Sequence, residues 1–346
     1  MSKFNKVIVN TRSLLSPMTG VQRYLSEILK YSPEVLERIQ PAESMSKGIK
    51  GHIWEQLILP TQLKKNKILW SPTNTGPLFV RNQIVSIMDF TTIEHPEWFN
   101  RKYALLYKYL LPRLVKNALH VLTISEYTKE RIVAITGVDP TKITVTHLAA
   151  DSLFEVKTYK EVLRVKAKYK IEGDYIFSLG SLEPRKNLSR LFEAWEKWDS
   201  RPSNLSLIVA GATGRVFRNI GFQNIPKHVN FIGRVDDVDL PGLYSGAKFF
   251  LYPSLYEGFG LPVIEAMSCG TPVITSNITS LPEVVGNSGI LVDPYNVDNI
   301  TDAMDSLYFD KHLAQKLRLE GIERAKLFSW SKTALSTIEV LKIFSN

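Results

Sequence analysis

Glu257 and Glu265 stand eight positions apart within the stretch Tyr252 to Asn277, YPSLYEGFGLPVIEAMSCGTPVITSN. Between them lie a glycine-bracketed turn, Gly258-Phe259-Gly260-Leu261-Pro262, and a short apolar run. Glycine tolerates the positive φ that a sharp bend needs. Proline at 262 suits the first turn of a helix, where its missing N–H costs nothing. A helix from there to about Ser268 turns its N–H groups and the positive end of its dipole toward whatever lies above the turn. The pattern predicts an anion site built from backbone, with one carboxylate just before the turn and the other two turns later. A phosphate flanked by two hydroxyl-seeking carboxylates describes a sugar nucleotide. The bland alternative is a surface carboxylate, a loop and a core helix.

The elements that must position these groups are legible as alternating strands and helices. Lys6 to Asn10 reads as a buried strand, a loop with Pro17 and Gly20 follows, and Val21, Tyr24, Leu25, Ile28 and Leu29 share one face of a helix. With one glycine at the helix start, the loop has no dinucleotide fingerprint. Residues 40–50 read as a loop, 52–63 as a helix, 68–70 and 84–89 as strands, and 98–119 as a helix broken or kinked near Pro112. Strands follow at 121–124 and 143–147. The charged segment 155–170 marks the expected change of domain. A second series then begins, with strands at 175–179, 205–210, 229–232, 249–252, 272–275 and 290–292 and helices between most of them. The last helix, Trp330 to Phe344, is expected to cross back to the first domain. Strands alternating with helices favour parallel sheets covered on both faces. The expectation is α/β, with two doubly wound, Rossmann-like domains facing each other across a cleft: residues 1–165, residues 166–329, and a returning helix over 330–346.

At 346 residues the length suits two domains, and 44% hydrophobic residues supply sizeable cores. The single cysteine, Cys269, excludes an internal disulfide framework and points to a reducing compartment. MSKFNKVIVNTRSL holds no apolar run suited to a secretory signal or a membrane span, so the expected location is cytoplasmic. The net charge of +9 fits an acidic substrate, an anionic lipid surface or solvated basicity. No zinc-ligand spacing and no nucleic-acid motif is present, and neither a metal nor a nucleic-acid partner is expected.

A second motif lies at Gly180-Ser-Leu-Glu-Pro-Arg-Lys-Asn187. Two cations at a helix start are unfavourable unless an anion is there. Taken with Glu257-Gly258-Phe259-Gly260, Glu265-Ala266 and Cys269-Gly270-Thr271-Pro272-Val273, it resembles the retaining GT-B glycosyltransferases that carry a glutamate, seven residues, glutamate motif, known as family four. The resemblance covers nearly the whole chain. It implies that Lys186 is the family's lysine and, with Arg185, neutralises the departing diphosphate. Arg185 stands in for a family arginine whose place is taken by Ser181 and Leu182. By the same resemblance Glu265 binds the nucleotide ribose and Glu257 the donor sugar. The backbone of Gly258, Phe259, Gly260 and Leu261 holds sugar and phosphate, Arg234 and Val235 lie by the base, and Gly20 lets its loop approach the phosphates. No cofactor beyond the sugar nucleotide as co-substrate is implied.

On the acceptor side, Ile87-Met-Asp-Phe90 and the following Glu94-His95-Pro96-Glu97-Trp98-Phe99 resemble a first-domain segment that usually contains His-Asp. Met88 occupies the histidine position and can neither donate to a hydroxyl nor shuttle a proton. Asp89 is a candidate for orienting the acceptor hydroxyl and equally a strand-end turn carboxylate; His95 is a candidate acceptor-lining residue. Asp237-Val-Asp239 has the spacing of a metal pair in a different glycosyltransferase architecture, but reads here as a helix cap. Arg101 to Lys116, RKYALLYKYLLPRLVK, interleaves cations with tyrosines and leucines and reads either as a helix lying on an anionic membrane or as a half-buried core helix. The Leu-Glu-Pro-Arg-Lys-Asn loop and the His-Pro-Glu-Trp-Phe segment look most like the mannosyltransferase-type branch. The implied activity is retaining transfer of mannose from GDP-mannose to a glycan or polyprenyl-diphosphate-linked saccharide, in polysaccharide or O-antigen assembly. A UDP-hexose or deoxyhexose-nucleotide transferase, a sugar-nucleotide 2-epimerase and a non-catalytic sugar-nucleotide-binding protein are the alternatives.

Overall fold

The computed structural model describes residues 7–16, 19–31, 36–64, 67–211 and 225–345. Pro17 and Lys6, which the sequence reading used, lie outside them. The chain divides into two compact units. One takes the described residues of 1–96, 101–148 and 329–346, the other 97–100 and 149–328.

The first unit holds a sheet of β1 (Val7–Asn10), β2 (Glu37–Ile39), β3 (Ile68–Ser71), β4 (Gln83–Ile87), β5 (His120–Thr123) and β6 (Ile143–Val145) in the order β2-β1-β3-β4-β5-β6. All five pairings are parallel. Four of these strands, β1 and β3 to β5, are buried at every residue, which is why they read as continuous apolar runs. β2 escaped the sequence reading because Glu37-Arg38-Ile39 is a short, largely exposed edge strand with no apolar alternation.

Two helices differ from expectation. The helical stretch expected over 52–63 begins at Gly48 and runs to Gln62, with a π-helical segment at Trp54–Ile58. That wider turn carries Glu55 wholly inside, where it accepts from Asn10 Nδ2 and Thr75 Oγ1, each at 2.8 Å, and pairs with Arg12 at 3.4 Å. The helix Arg101–Asn117 is continuous through Pro112, contrary to the expected interruption. Ala104, Tyr107, Leu110, Leu111, Leu114 and Val115 bury one face, and each buried Leu or Val contributes roughly 1.5–3 kcal/mol. That packing outweighs the single backbone bond that proline removes.

The final helix, Trp330–Ser345, belongs to the first unit and packs against the helix Gly20–Lys30 and β3. Thr333 donates to the His147 carbonyl, and the Phe344 ring lies 5.0 Å from that of His120.

The second unit holds β7 (Tyr175–Leu179), β8 (Ser206–Ala210), β9 (Val229–Gly233), β10 (Phe250–Tyr252), β11 (Val273–Ser276) and β12 (Ile290–Val292), in the order β12-β11-β10-β7-β8-β9, again all parallel. Its core packs Leu191 and Trp195 of the helix Leu188–Lys197, the C-cap residue Trp198 and neighbouring side chains against strand residues such as Leu207 and Leu251. The unit begins at Ala149, whereas the sequence reading placed the boundary at 165. The reason is the helix Tyr159–Lys168: Val165 packs so closely on Gly242 that an added methyl there would meet it at 2.7 Å, and Arg164 pairs with Asp239 at 2.8 Å. Charge along 155–170 marked a solvated helix face, not a linker.

Candidate functional site

The strand order decides where the two motifs meet. From β7 the chain moves outward through β8 and β9, then returns to lay β10 on the opposite side of β7. Loops leaving the carboxyl ends of strands at such a switch point diverge and open a crevice, the usual ligand position in a doubly wound sheet. The loop after β7 is Gly180 to Asn187, and the loop after β10 is Pro253 to Gly260. Residues some seventy positions apart are thereby brought into contact.

Glu257 is the hub. Its carboxylate takes Lys186 Nζ at 2.6 Å, Arg185 Nη1 at 2.9 Å and the Tyr252 hydroxyl at 2.8 Å. Lys186 also donates to that hydroxyl. Glu183 pairs with the other arm of Arg185, Nη2, at 2.8 Å. Glu257 is 6% and Lys186 8% exposed, although both are charged. Burial acts to raise the Glu257 pKa, but the two cations outweigh it and bring the value down to about 2. Burial and the adjacent Arg185 lower the Lys186 pKa, against the pull of Glu257 and Glu183. The carboxylate is thus firmly ionised beside two cations crowded against each other.

Backbone devices fix this arrangement. Asn187 adopts φ 59° and donates through Nδ2 to the carbonyls of Pro253 and Pro294 at 3.0 and 2.7 Å, tying the loop after β7 to its neighbours. Leu255 N–H donates to the Arg185 carbonyl at 2.7 Å. Ser280 Oγ donates to the carbonyls of Glu257 and Phe259 at 2.9 and 2.8 Å. Gly260, at φ 114°, starts the helix Leu261–Ser268, as the glycine turn and Pro262 imply. On that helix Glu265 is 6% exposed and accepts from the Tyr244 hydroxyl at 3.2 Å.

Glu257, Lys186, Arg185, Gly258, Phe259, Gly260, Leu261 and Glu265 therefore lie on loops and a helix around one switch point. Arg234, exposed, and Val235, buried, follow β9 on the same side of β7 as β8. Gly20, Asp89 and His95 belong to the first unit. Gly20 is the first residue of its helix, and among the described residues, its chain neighbours and own helix backbone aside, no atom lies within 4 Å of where a Cβ would stand. Asp89 accepts from Thr91 N–H at 3.0 Å, a strand-end turn contact that leaves Oδ2 to other partners, and the neighbouring Met88 is buried at 5% exposure. Asp239 stands at a helix N-cap position as expected, but its side chain does not cap. It pairs instead with Arg164 and Lys168 and accepts from Tyr169. Among the described residues no three His, Cys, Asp or Glu stand close enough to hold a metal ion.

Sequence reading missed Tyr252, Glu183 and Tyr244, and in the first unit the buried Asn10–Arg12–Glu55–Thr75 cluster. Glu183 lay in the quoted loop, and a glutamate one proline away from two cations was a usable signal. The tyrosines carried none, because a tyrosine beside a strand is equally a core residue.

The ion pairs imply a pH dependence. A carboxylate held below its unfolded value contributes stability that is fully present above that value and lost as pH falls toward the folded one. For Glu257 the window is 4.5 down to about 2, worth on the order of 3 kcal/mol. Across it, wild type is expected to lose that much more unfolding free energy than Glu257→Gln. Urea titrations of both proteins at stepped pH measure the difference, and parallel curves would contradict the ionised pairing.

Residues 160–326 match the family model described as Glycosyl transferases group 1. The chain is 28% identical to the O-antigen chain mannosyltransferase B of Escherichia coli, over 98% of this chain and 100% of that one. It is 30% identical to the O-antigen chain mannosyltransferase RfbU of Salmonella typhimurium, over 76% of this chain and 73% of the relative. A longer Escherichia coli relative, the serotype-specific mannosyltransferase WbdA, is 30% identical over 63% of this chain, which spans only 28% of it. Among solved structures, a glycosyltransferase from Rickettsia africae superposes with a TM-score of 0.73 at 18% identity, over 98% of this chain and 99% of that one.

Proposed function

Because the chain belongs to the group 1 glycosyl transferases, we propose that it is a retaining mannosyltransferase that moves mannose from GDP-mannose to a saccharide acceptor in O-antigen or related polysaccharide assembly. The observation that carries the donor site is the buried Lys186–Glu257–Arg185 cluster at the switch point of the second unit. Relatives named as O-antigen mannosyltransferases support the sugar and the setting.

In this reading the diphosphate takes the Arg185 and Lys186 donors, and Glu257 turns to hydroxyls of the donor sugar. Glu265, braced by Tyr244, accepts from the ribose. Arg234 and Val235 face the base. As the bond from C1 to the phosphate oxygen breaks, negative charge grows on the diphosphate, where two fixed cations act most strongly. The acceptor oxygen bonds C1 from the same face, and its proton passes to the departing phosphate oxygen. Asp89 orients the acceptor hydroxyl, and His95 lines its approach. Met88 leaves that proton without an imidazole, which favours transfer to the phosphate itself.

A thermal-shift and turnover screen across GDP-, UDP- and dTDP-sugars tests the proposal. GDP-mannose is expected to stabilise the protein and to be transferred or slowly hydrolysed. Preference for a UDP-hexose or deoxyhexose nucleotide would replace the donor. Epimerised nucleotide, or binding with no product, would overturn the transferase reading.

No helix among the described residues is long and apolar enough to cross a membrane. We place the enzyme in the cytoplasm, at the inner face of the membrane, acting on a polyprenyl-diphosphate-linked acceptor. The helix Arg101–Asn117 supports this, because its solvent side carries Arg101, Lys102, Lys108, Arg113 and Lys116 beside the exposed Leu105, Leu106 and Tyr109. Each cation near an anionic surface adds roughly 1 kcal/mol. The protein is expected to float with anionic vesicles at low salt and to be released by salt; no flotation would remove the membrane contact.

A further inference from the structure

Glu183 has no assigned part, yet it is the most deeply buried member of the charged cluster. It is 0% exposed, both carboxylate oxygens are sealed from solvent, and neither receives a well-aligned hydrogen bond. What holds it is the ion pair with Arg185 Nη2 at 2.8 Å, while Arg185 Nη1 reaches Glu257 at 2.9 Å and Glu257 reaches Lys186 at 2.6 Å. Four charged side chains thus form one chain of contacts, none more than 21% exposed. Two cations and two carboxylates leave it neutral.

Neutrality suits an empty site but not an occupied one. A nucleoside diphosphate sugar brings two negative charges against Arg185 and Lys186. Four negative charges would then face two cations in a region that excludes water, where like charges repel strongly. The tension is relieved most easily at the carboxylate whose ionised form is held least well. Glu257 has Lys186, Arg185 and the Tyr252 hydroxyl. Glu183 faces Arg185 and Lys186 from its own turn and the repelling Glu257 from the loop after β10, and it has one ion pair.

We propose that Glu183 is the positioning residue of Arg185 and its proton-linked counter-ion: ionised and paired in the empty site, protonated when a sugar diphosphate occupies the cations. Protonation leaves a carbonyl oxygen beside Arg185 Nη2, a neutral neighbour that keeps the guanidinium's aim while its charge is released to the phosphates. Burial already pushes the Glu183 pKa up, toward the protonated form. The inference rests on the reading that these cations take the donor diphosphate.

A group whose pKa is higher in the complex makes binding take up a proton. Affinity is therefore greatest at low pH and falls as pH rises through the interval between the free and bound values, by up to about tenfold per pH unit. Calorimetric titration of the full chain with GDP-mannose, in pairs of buffers with different ionisation heats, counts the protons directly. The sugar nucleotide is the right probe because neither of its phosphates titrates near neutrality, unlike the terminal phosphate of GDP. Wild type is expected to take up a fraction of one proton, and Glu183→Gln to bind with no uptake and a flat pH profile. Glu183→Ala, which also frees Arg185, is expected to bind more weakly at every pH. Proton-neutral binding by wild type, or the same uptake in Glu183→Gln, overturns the proposal and leaves the donor site standing. Failure of wild type to bind any of GDP-mannose, UDP-glucose or a dTDP-sugar overturns both. The wild-type proton count decides without any variant.

Discussion

Lys186→Met is expected to cut turnover of the sugar nucleotide by about 10²–10³-fold, the usual cost of removing one fixed donor from a developing anion in a closed site. Its side chain is 8% exposed and its stem is seated against Gly180, where an added methyl would stand 3.0 Å from Cε. The stem therefore has one path, and the charge one position. Methionine keeps most of the stem and removes the charge. The ground-state diphosphate still has Arg185, so donor affinity is expected to fall less than kcat. Glu257 keeps Arg185 and the Tyr252 hydroxyl as partners, and the lost half of a buried pair is expected to lower stability by roughly 1–3 kcal/mol. Steady-state kinetics with GDP-mannose, beside a urea titration of the same preparation, separates the two effects. A variant that loses stability but keeps kcat would mean that Lys186 only braces Glu257.

This prediction was accessible from sequence because the chemistry sits on local patterns. Gly180 to Asn187 and Glu257 to Glu265 each declare their turn by glycine, proline and a following apolar helix. Strands such as β10 and β11 declare themselves by burial on both faces. The invisible features depend on what lies across the sheet. Tyr252 becomes a partner of Glu257 and Lys186 only because the strand order puts β10 beside β7. Glu183 is sealed by neighbours, not by its own sequence. The misplaced boundary at 165 has the same origin, since Val165 is covered by Gly242, more than seventy residues away. Continuity through Pro112 reflects a buried face that outweighs a local rule. Asp239 looked like a cap because its partners Arg164 and Lys168 belong to the segment read as a linker.

The same logic gives a second large effect at a residue that touches none of the charged groups. Gly211 directly follows β8 with φ 143°, a conformation that residues bearing a Cβ rarely adopt. A methyl there would lie 1.8 Å from the Gly180 carbonyl oxygen and 2.7 Å from its carbon. Both atoms are backbone, so no rotamer change relieves the overlap; β7 and β8 must part at their carboxyl ends. Gly180 N–H donates to the Ala210 carbonyl at 3.0 Å, and Gly180 backs the Lys186 stem. Displacement there passes directly into the cation cluster. Gly211→Ala is therefore expected to lower stability by about 3 kcal/mol or more, and to abolish the thermal shift given by GDP-mannose. Gly137→Ala is the matching control, because Gly137 has φ 69° and open space around its Cβ position. It is expected to show only the left-handed backbone cost, about 1–2 kcal/mol, with nucleotide binding intact. Side-by-side denaturant and thermal-shift measurements read the difference. Equal costs at the two glycines would mean that the ends of β7 and β8 yield without disturbing Lys186, and that the close approach of Gly211 to Gly180 does not set the donor site.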